Sequence, residues 1–217
     1  MLLLIDVVER WNVPMEDLLG HEGLAIEDLL RSGFRLPRDC FARLIKQAIS
    51  LTGEPGIGFL RGLQMAVSCR GVIGQAAMVA RTLGAALDIA IAYFKMPSSD
   101  LELRLDPHGQ HVRLALVELD ERYRLGEVGA MFLLTGFAAM AEALTGTRLR
   151  GKGVVRFARP SYMSRFDHLM VGPLTFEGGF NGFIFERSIL DLPLVMSDPV
   201  AARVAREQCK EELGRLG

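Results

Sequence analysis

The sequence has few of the residues from which proteins build covalent or metal cross-links. Its 217 residues include three cysteines, Cys40, Cys69 and Cys209, which are widely spaced and form no Cys-x-x-Cys pair. This number and spacing argue against a disulfide framework and favour a reducing compartment. A chain of this length can bury about 70% of the surface that its unfolded form exposes, so it can hold a sizeable core without such cross-links.

The sequence also lacks an excess of charge and a long uncharged segment. The net charge of −1 provides no bulk attraction to nucleic acid or to an anionic membrane. The longest uncharged apolar run lies between Glu127 and Glu142, and it is shorter than the about 20 residues of a membrane span. Asp6 interrupts the apolar start before it reaches the about 7–15 residues of a signal-peptide core. We expect a cytoplasmic protein with no membrane partner.

The glycine-rich segments lack the context of a phosphate-binding loop. Gly71-Val-Ile-Gly74 follows no predicted strand and lacks the Lys-Ser/Thr ending of such a loop. The cluster from Gly56 to Gly62 is one residue too long for the dinucleotide motif and lies between helical segments. We interpret these glycines as positions where helices begin or approach one another closely.

No group of residues predicts catalysis or metal binding. His108 and His111 flank a predicted turn without a carboxylate or cysteine at metal-ligand spacing, and exposed turn histidines are common. Cys69 could be a nucleophile near a helix start, although a small buried thiol is the more frequent case. Because no Ser-His-Asp or paired-carboxylate signature is present, we predict no catalytic residue, no metal site and no cofactor.

The hydrophobic periodicity predicts an α+β fold, with an N-terminal helical bundle, a small antiparallel sheet packed with long helices, and a C-terminal exit helix. Pro14 is placed as the first residue of a second helix. The predicted elements that follow are helices at 26–30 and 38–52, two helices separated by the N-cap residue Thr82, a β-hairpin at 101–116, a helix at 125–144, strands at 154–158, 174–176 and 183–185, and a helix that begins at Ser197-Asp-Pro199.

These elements suggest three units, which are an N-terminal helical subdomain (1–66), an α+β domain (67–196) and an exit helix (197–217). The short N-terminal helices could indicate a helix-turn-helix that binds DNA. Their charge argues against this function, because residues 1–31 contain seven acids and two arginines, whereas a duplex-docking surface is basic.

The order of several motifs resembles that of a known family. The residues Gly71, Gly74, Thr82, Leu83, Ala86, Leu87 and Tyr93 form a G-x-x-G, T-L-x-x-A-L and aromatic series. Further along are Val155-Arg-Phe157-Ala-Arg159-Pro160, Pro173-Leu-Thr-Phe176, Phe180-Asn-Gly-Phe183 and Leu190-Asp-Leu-Pro193. In this order and spacing the chain resembles the arabinose-binding-type N-terminal domain of AraC-type transcriptional regulators.

The resemblance implies a bacterial module that senses a small-molecule effector and forms a homodimer. Arabinose itself is not implied, because this branch senses varied metabolites. DNA would be bound only through a C-terminal helix-turn-helix domain that lies outside this chain, with the exit helix leading toward it. The alternative is a small-molecule carrier or a small metabolic enzyme on an α+β scaffold.

Two groups of residues are candidates for contacts with the effector. Aromatic and methionine side chains could line an apolar pocket, although ordinary core packing is the more frequent role. This group consists of Tyr93, Met131, Phe132, Phe176, Phe180 and Phe183. Arg104, Arg113 or Arg156 could hold a carboxylate of an organic acid or amino-acid derivative, although strand arginines more often face solvent.

Overall fold

The computed structural model describes residues 2–31, 34, 36–65, 71–94, 101–119, 125–170 and 172–216. The chain begins with five helices, which are α1 (Leu2–Glu9), α2 (Met15–Leu19), α3 (Ile26–Leu30), α4 (Arg38–Thr52) and α5 (Ile57–Leu63). Leu44 and Ala48 of α4 are one turn apart and fully buried against Leu4, Val8 and Leu18 of the first two helices. The first helices therefore share a hydrophobic core of their own.

The predicted N-terminal helices are confirmed, with two differences. Pro14 is the N-cap of α2, and the helix itself begins at Met15. The segment from Gly56 to Gly62, for which no helix was predicted, forms α5. Its residues Gly58 and Gly62 pack directly on a later helix, as expected for glycines where helices approach one another closely. The sequence pattern hid this helix because its packing depends on glycines rather than on an apolar stripe.

Helices α6 (Gly71–Met78) and α7 (Leu83–Tyr93) are separated where the sequence predicts. The Thr82 hydroxyl accepts a hydrogen bond from the backbone N–H of Ala85 (3.3 Å), which makes Thr82 the N-cap of α7. The backbone of Leu83 also bonds to the Leu192 carbonyl (2.9 Å). The start of α7 is thus tied to a segment more than a hundred residues away.

The sheet contains β1 (Leu101–His108), β2 (His111–Glu118), β3 (Gly151–Val154), β4 (Leu174–Thr175) and β5 (Asn181–Glu186) in the order β1-β2-β5-β3-β4. The predicted hairpin is confirmed by the pairing of β1 with β2. The prediction of an antiparallel sheet is confirmed for three of the four strand pairs, whereas β3 and β4 are parallel. A long connection across residues 155–173 returns the chain to the same end of the sheet, which permits the parallel pair.

Strand β3 also lies earlier than the sequence predicts. The strand expected at 154–158 is found at Gly151–Val154, where it pairs with β5. The residues that follow form bends, and the backbone of Arg156 donates instead to the Asn181 side chain (3.0 Å). The two glycines of β3 carry no hydrophobic pattern from which a strand could be predicted.

Helix α8 (Glu127–Thr145) ends at Gly146, whose left-handed conformation (φ 65°) suits a residue without Cβ. By length and composition alone α8 is apolar enough to cross a membrane, as core helices of soluble proteins also can be. Here it packs along α5 and against the sheet, with Ala130 and Met131 almost completely buried. The length and composition of α8 are therefore explained by its place in the core.

Helix α9 (Pro199–Leu216) begins as predicted, since Asp198 Oδ1 accepts hydrogen bonds from the N–H groups of Val200 (2.8 Å) and Ala201 (3.0 Å). Ala205 and Cys209 of α9 pack against α6. The α+β fold class is confirmed. The division into units at 66/67 and 196/197 stays a prediction, and the first boundary lies outside the described residues.

Candidate functional site

A cavity of about 460 Å³ lies between one face of the sheet and helices α6, α7 and α8. The strand register creates its floor, because Leu114, Phe183, Gly153 and Leu174 are paired neighbours in four successive strands. All four residues line the cavity. Side chains two residues apart on a strand share a face, so the alternation seen in the sequence places this apolar row toward the helices.

Small side chains on the helices leave the space open. The wall opposite the sheet contains five alanines and Gly74 of α6 among larger apolar side chains such as Leu87 and Met140. These alanines are Ala77, Ala86, Ala90, Ala138 and Ala141. An alanine leaves unfilled the volume that a leucine side chain would occupy at the same position. The cavity size is within the about 300–1,000 Å³ that is typical of small-molecule sites.

The lining contains little that can hydrogen-bond. Among the described residues that line the cavity, the polar side chains are those of Tyr93, Thr135 and Arg150, and none is an acid. Thr135 is buried, whereas Arg150 is exposed at the edge. The arrangement suits a mainly apolar molecule with a polar end.

Arg150 lies at the edge of the cavity, where two chain segments meet. Leu149, Arg150 and Gly151 line the cavity from one segment, and Leu169, Met170 and Gly172 line it from the other. The Arg148 guanidinium joins the two segments by donating to the Met170 carbonyl (2.9 Å). The backbones also approach closely, since a Cβ on Gly172 would lie 2.6 Å from the Gly151 carbonyl oxygen.

A second, polar groove lies on the opposite face of the sheet. Its arginines are paired with acids, because Arg113 bonds to Asp106 (2.6 Å) and Arg156 lies 3.6 Å from Glu118. The Arg113 guanidinium also lies 5.4 Å from the centroid of the Phe180 ring. These arginines have partners within the fold, as is usual on a solvated strand face.

The residues predicted from sequence are distributed over these places. Tyr93, Met131 and Phe183 line the apolar cavity, whereas Arg104, Arg113, Arg156 and Phe180 line the groove. Phe132 and Phe176 are in neither lining. Phe132 lies beneath the Arg61 guanidinium (4.0 Å to the ring centroid), and Phe176 packs edge-on against Phe157.

Sequence reasoning missed the alanines of the helical wall and Arg150. An alanine in an apolar helix is usually close-packed, so its sequence carries no signal for an empty volume. Arg150 lies just before β3, in a segment without a clear period, and its place beside the cavity depends on the fold of residues 169–172.

The other candidate sites can also be located. His108 and His111 are paired across the hairpin, and both are exposed. Within the described part of the chain, no group of three His, Cys, Asp or Glu residues could hold a metal ion. Cys69 lies outside the described residues.

Polar contacts join residues 161–165 to helix α8 and to the segment between α4 and α5. The Tyr162 hydroxyl donates to Glu127 Oε1 (2.5 Å), and burial followed by this hydrogen bond raises the pKa of Tyr162. Glu54 is buried beside it in the same region and accepts hydrogen bonds from the Gly56 N–H (2.7 Å) and the Arg165 guanidinium (2.8 Å). These contacts are structural, since none of these residues lines the cavity.

Comparison with known proteins places this architecture in a family. The chain is 24% identical over 214 residues to a Pseudomonas aeruginosa protein named ornithine utilization regulator, covering 98% of this chain and 63% of that protein. It is similar in fold to the transcriptional regulator CdpR from Pseudomonas aeruginosa, with a TM-score of 0.58 and 17% identity. That match covers 88% of this chain and 59% of the CdpR chain. The chain thus spans less than two thirds of either protein.

The sequence model of one family matches residues 13–194, a range that includes the elements around the cavity from α6 to β5. The resemblance seen in the sequence motifs is confirmed by this match. The chain belongs to the family described as the N-terminal arabinose-binding domain of AraC transcription regulators.

Proposed function

We propose that this chain is the effector-sensing and dimerisation domain of an AraC-type transcriptional regulator, and that its apolar cavity is the effector site. The observation that carries the proposal is the cavity itself, which lies between α6, α7, α8 and the sheet. Effector binding there would favour one arrangement of these elements over another, and so bias an attached DNA-binding domain.

The position of the cavity supports a role in signalling. Helix α6 contributes Gly74 and Ala77 to the cavity, and it also packs against α9. Helix α9 is the last described element of the chain. A ligand that shifts α6 would therefore act directly on the helix that leads toward a C-terminal DNA-binding domain.

A neutral environment-sensitive dye, Nile red, tests whether the cavity accepts a ligand. We expect its fluorescence to rise with the purified chain and to be lost in Ala141→Phe, which places a large ring in the cavity. Ala143→Phe is the matched control, because Ala143 is exposed two residues away on the same helix and does not line the cavity. Equal dye binding by both variants would show that the cavity is not the binding site.

A thermal-shift screen of metabolites then tests sensing. An effector at a hundred times its dissociation constant should add about 2.7 kcal/mol to the free energy of unfolding. The shift should disappear in Ala141→Phe and persist in Ala143→Phe. In the full-length regulator the same compound should change affinity for promoter DNA, and a compound that binds without any such change would argue for the carrier alternative.

The proposed dimer contact is the outer face of α9. Val200 and Val204 are one turn apart and 65% and 48% exposed, whereas Ala205 and Cys209 on the inner face are buried. Helix α8, the other candidate, is already packed against α5. We expect sedimentation to detect a dimer that the Val200→Lys, Val204→Lys double variant disrupts. Arg206→Gln is the control and should have no effect, because Arg206 is exposed on a different side of the helix from the two valines.

The enzyme alternative has less support. The relative at 24% identity is named a regulator, and a regulatory family matches most of the chain. Turnover of a screened compound by the purified chain, abolished by Ala141→Phe, would overturn the assignment as a sensor.

A further inference from the structure

The composition of the cavity selects a chemical class of effector. Resting on the proposed function, we infer that the cavity binds an amphipathic organic anion, such as an aliphatic carboxylate, with the chain inside and the head group against Arg150. A free amino acid or a sugar is the wrong chemistry for this lining.

The described walls provide few partners for a polar molecule, since their polar side chains are those of Tyr93 and Thr135. The floor is formed mainly by leucine and phenylalanine side chains, and the opposite wall by alanines and larger apolar side chains. A buried ammonium group would lose its hydrogen bonds to water without an acid to replace them, because no acid is among the described lining residues. Two hydroxyl-bearing side chains are too few to replace the hydrogen bonds that the several hydroxyls of a sugar make with water. An alkyl chain gains affinity from the same surface, at about fourfold for each buried methylene.

The edge provides one cation. Arg150 is exposed, lines the cavity and makes no ion pair or hydrogen bond with another described residue. Arg148, two residues earlier, instead joins the two segments at this edge by donating to the Met170 carbonyl. A guanidinium beside an apolar cavity can donate two parallel hydrogen bonds to a carboxylate while the apolar part of the ligand stays out of water.

The other arginines near the sheet do not compete for this role. Arg113 and Arg156 face the opposite side of the sheet and are paired with Asp106 and Glu118. An anion held there would have to displace a carboxylate that already occupies the guanidinium. Arg150 is the cationic side chain among the described cavity-lining residues, so head-group selection is assigned to it.

The experiment compares ligands that differ in one property at a time, by calorimetry with the purified chain below their micelle concentrations. Decanoate and hexanoate differ in chain length, decanoate and decanol differ in charge, and L-ornithine represents a polar amino acid. We expect binding to strengthen by about fourfold for each added methylene. We expect decanoate to bind more tightly than decanol, and L-ornithine to give no heat of binding.

The role of Arg150 is tested with Arg150→Gln, with Arg150→Lys as the variant that keeps the charge. Arg150→Gln should weaken the binding of decanoate about tenfold, which is the size expected for the loss of a charge-assisted hydrogen bond. It should leave the binding of decanol unchanged. Arg150→Lys should recover part of the loss. Arg113→Gln, on the far face, is the matched control and should bind decanoate like the unaltered chain. Circular dichroism checks that each variant is folded.

The outcomes separate this inference from the proposed function. One outcome is that L-ornithine binds, that decanoate does not, and that Ala141→Phe abolishes ornithine binding. In that case the proposed class of effector is wrong, but the cavity is still the effector site. If Arg150→Gln weakens the binding of decanoate and decanol equally, or changes the binding of neither ligand, the assignment of the head group to Arg150 is wrong. If Nile red and every ligand fail to bind, the cavity is not an effector site and both proposals fail.

Discussion

Gly58 of α5 lies directly against the backbone carbonyl of Val128 in α8, with no room for a methyl group between them. One turn later Gly62 meets the Phe132 carbonyl, where an added Cβ would be 2.7 Å from the oxygen. Two glycines four residues apart thus allow the two helix backbones to touch. This contact joins the N-terminal helices to the helix that forms part of the cavity wall.

The first prediction concerns this contact. Gly58→Ala should lower the free energy of unfolding by about 1–3 kcal/mol, because backbone atoms of α8 must move to accept the methyl group. Chemical denaturation measures the change. Gly20→Ala is the control, since Gly20 has a helical φ of −60° and nothing within 4 Å of its Cβ position. It should be neutral or stabilising by about 0.4–1 kcal/mol, and equal losses in both variants would refute the packing argument.

A second prediction concerns the hydrogen bond between Tyr162 and Glu127. Tyr162→Phe should lower the free energy of unfolding by about 1.5–3 kcal/mol, because the Glu127 carboxylate loses a hydrogen-bond donor in a partly buried site. Denaturant unfolding at neutral pH measures this loss. An unchanged midpoint would mean that water replaces the hydroxyl without cost.

The same tyrosine should cause the free energy of unfolding to fall at alkaline pH. Burial raises the pKa of Tyr162 above its ordinary value of 10.0, so the folded state favours the protonated phenol. The resulting contribution to the free energy of unfolding is fully present below about pH 10. It is lost as the pH rises above the pKa that the tyrosine has in the unfolded chain. The difference in phenolate absorbance between the unaltered chain and Tyr162→Phe should be absent near pH 10 while the chain is folded. A phenolate signal from Tyr162 at that pH would contradict the raised pKa of this residue in the folded chain.

A third prediction concerns the ion pair between Glu22 and Arg43 and its effect on stability at acidic pH. Two hydrogen bonds from Arg43 (2.6 and 2.7 Å) lower the pKa of Glu22 to about 2. The folded pKa lies below the unfolded one, so the stabilisation is present above about pH 4–5 and is lost as the pH falls toward 2. Glu22→Gln should therefore lower the melting temperature near neutral pH, and the difference from the unaltered chain should shrink on acidification. A difference that stays constant with pH would mean that the glutamate charge is not the cause.

A fourth prediction concerns the start of α7. Thr82→Ala should destabilise the chain by about 1 kcal/mol, since the Ala85 N–H loses its acceptor. Thr82→Ser keeps the hydroxyl and should retain most of the stability. Because α7 forms a wall of the cavity, Thr82→Ala should also weaken Nile red binding when the two are measured together. Equal stability of the alanine and serine variants would show that the cap contributes little.

Local patterns in the sequence predicted most of the helices and the hairpin. Thr82 and Asp198 mark helix starts, and Gly146 marks a helix end, because capping depends on residues only a few positions apart. The alternation of Leu101, Leu103 and Leu105 predicted the strand face in the same way. The parallel pairing of β3 with β4, and helix α5, were not predicted, since they depend on contacts between distant segments.

The candidate site was less predictable for the same reason. Tyr93 lines the cavity, but Arg104 and Arg113 face the other side of the sheet, where acids on the sheet pair with them. The sequence alone determined the fold class, the helix caps, the hairpin and the order of motifs that identifies the family, all of which depend on local spacing. Only the tertiary structure placed the alanines of α7 and α8 opposite an apolar sheet row and brought Arg150 to the edge of the resulting space. An empty volume and its edge are properties of surfaces that meet, and no single segment of the chain encodes them.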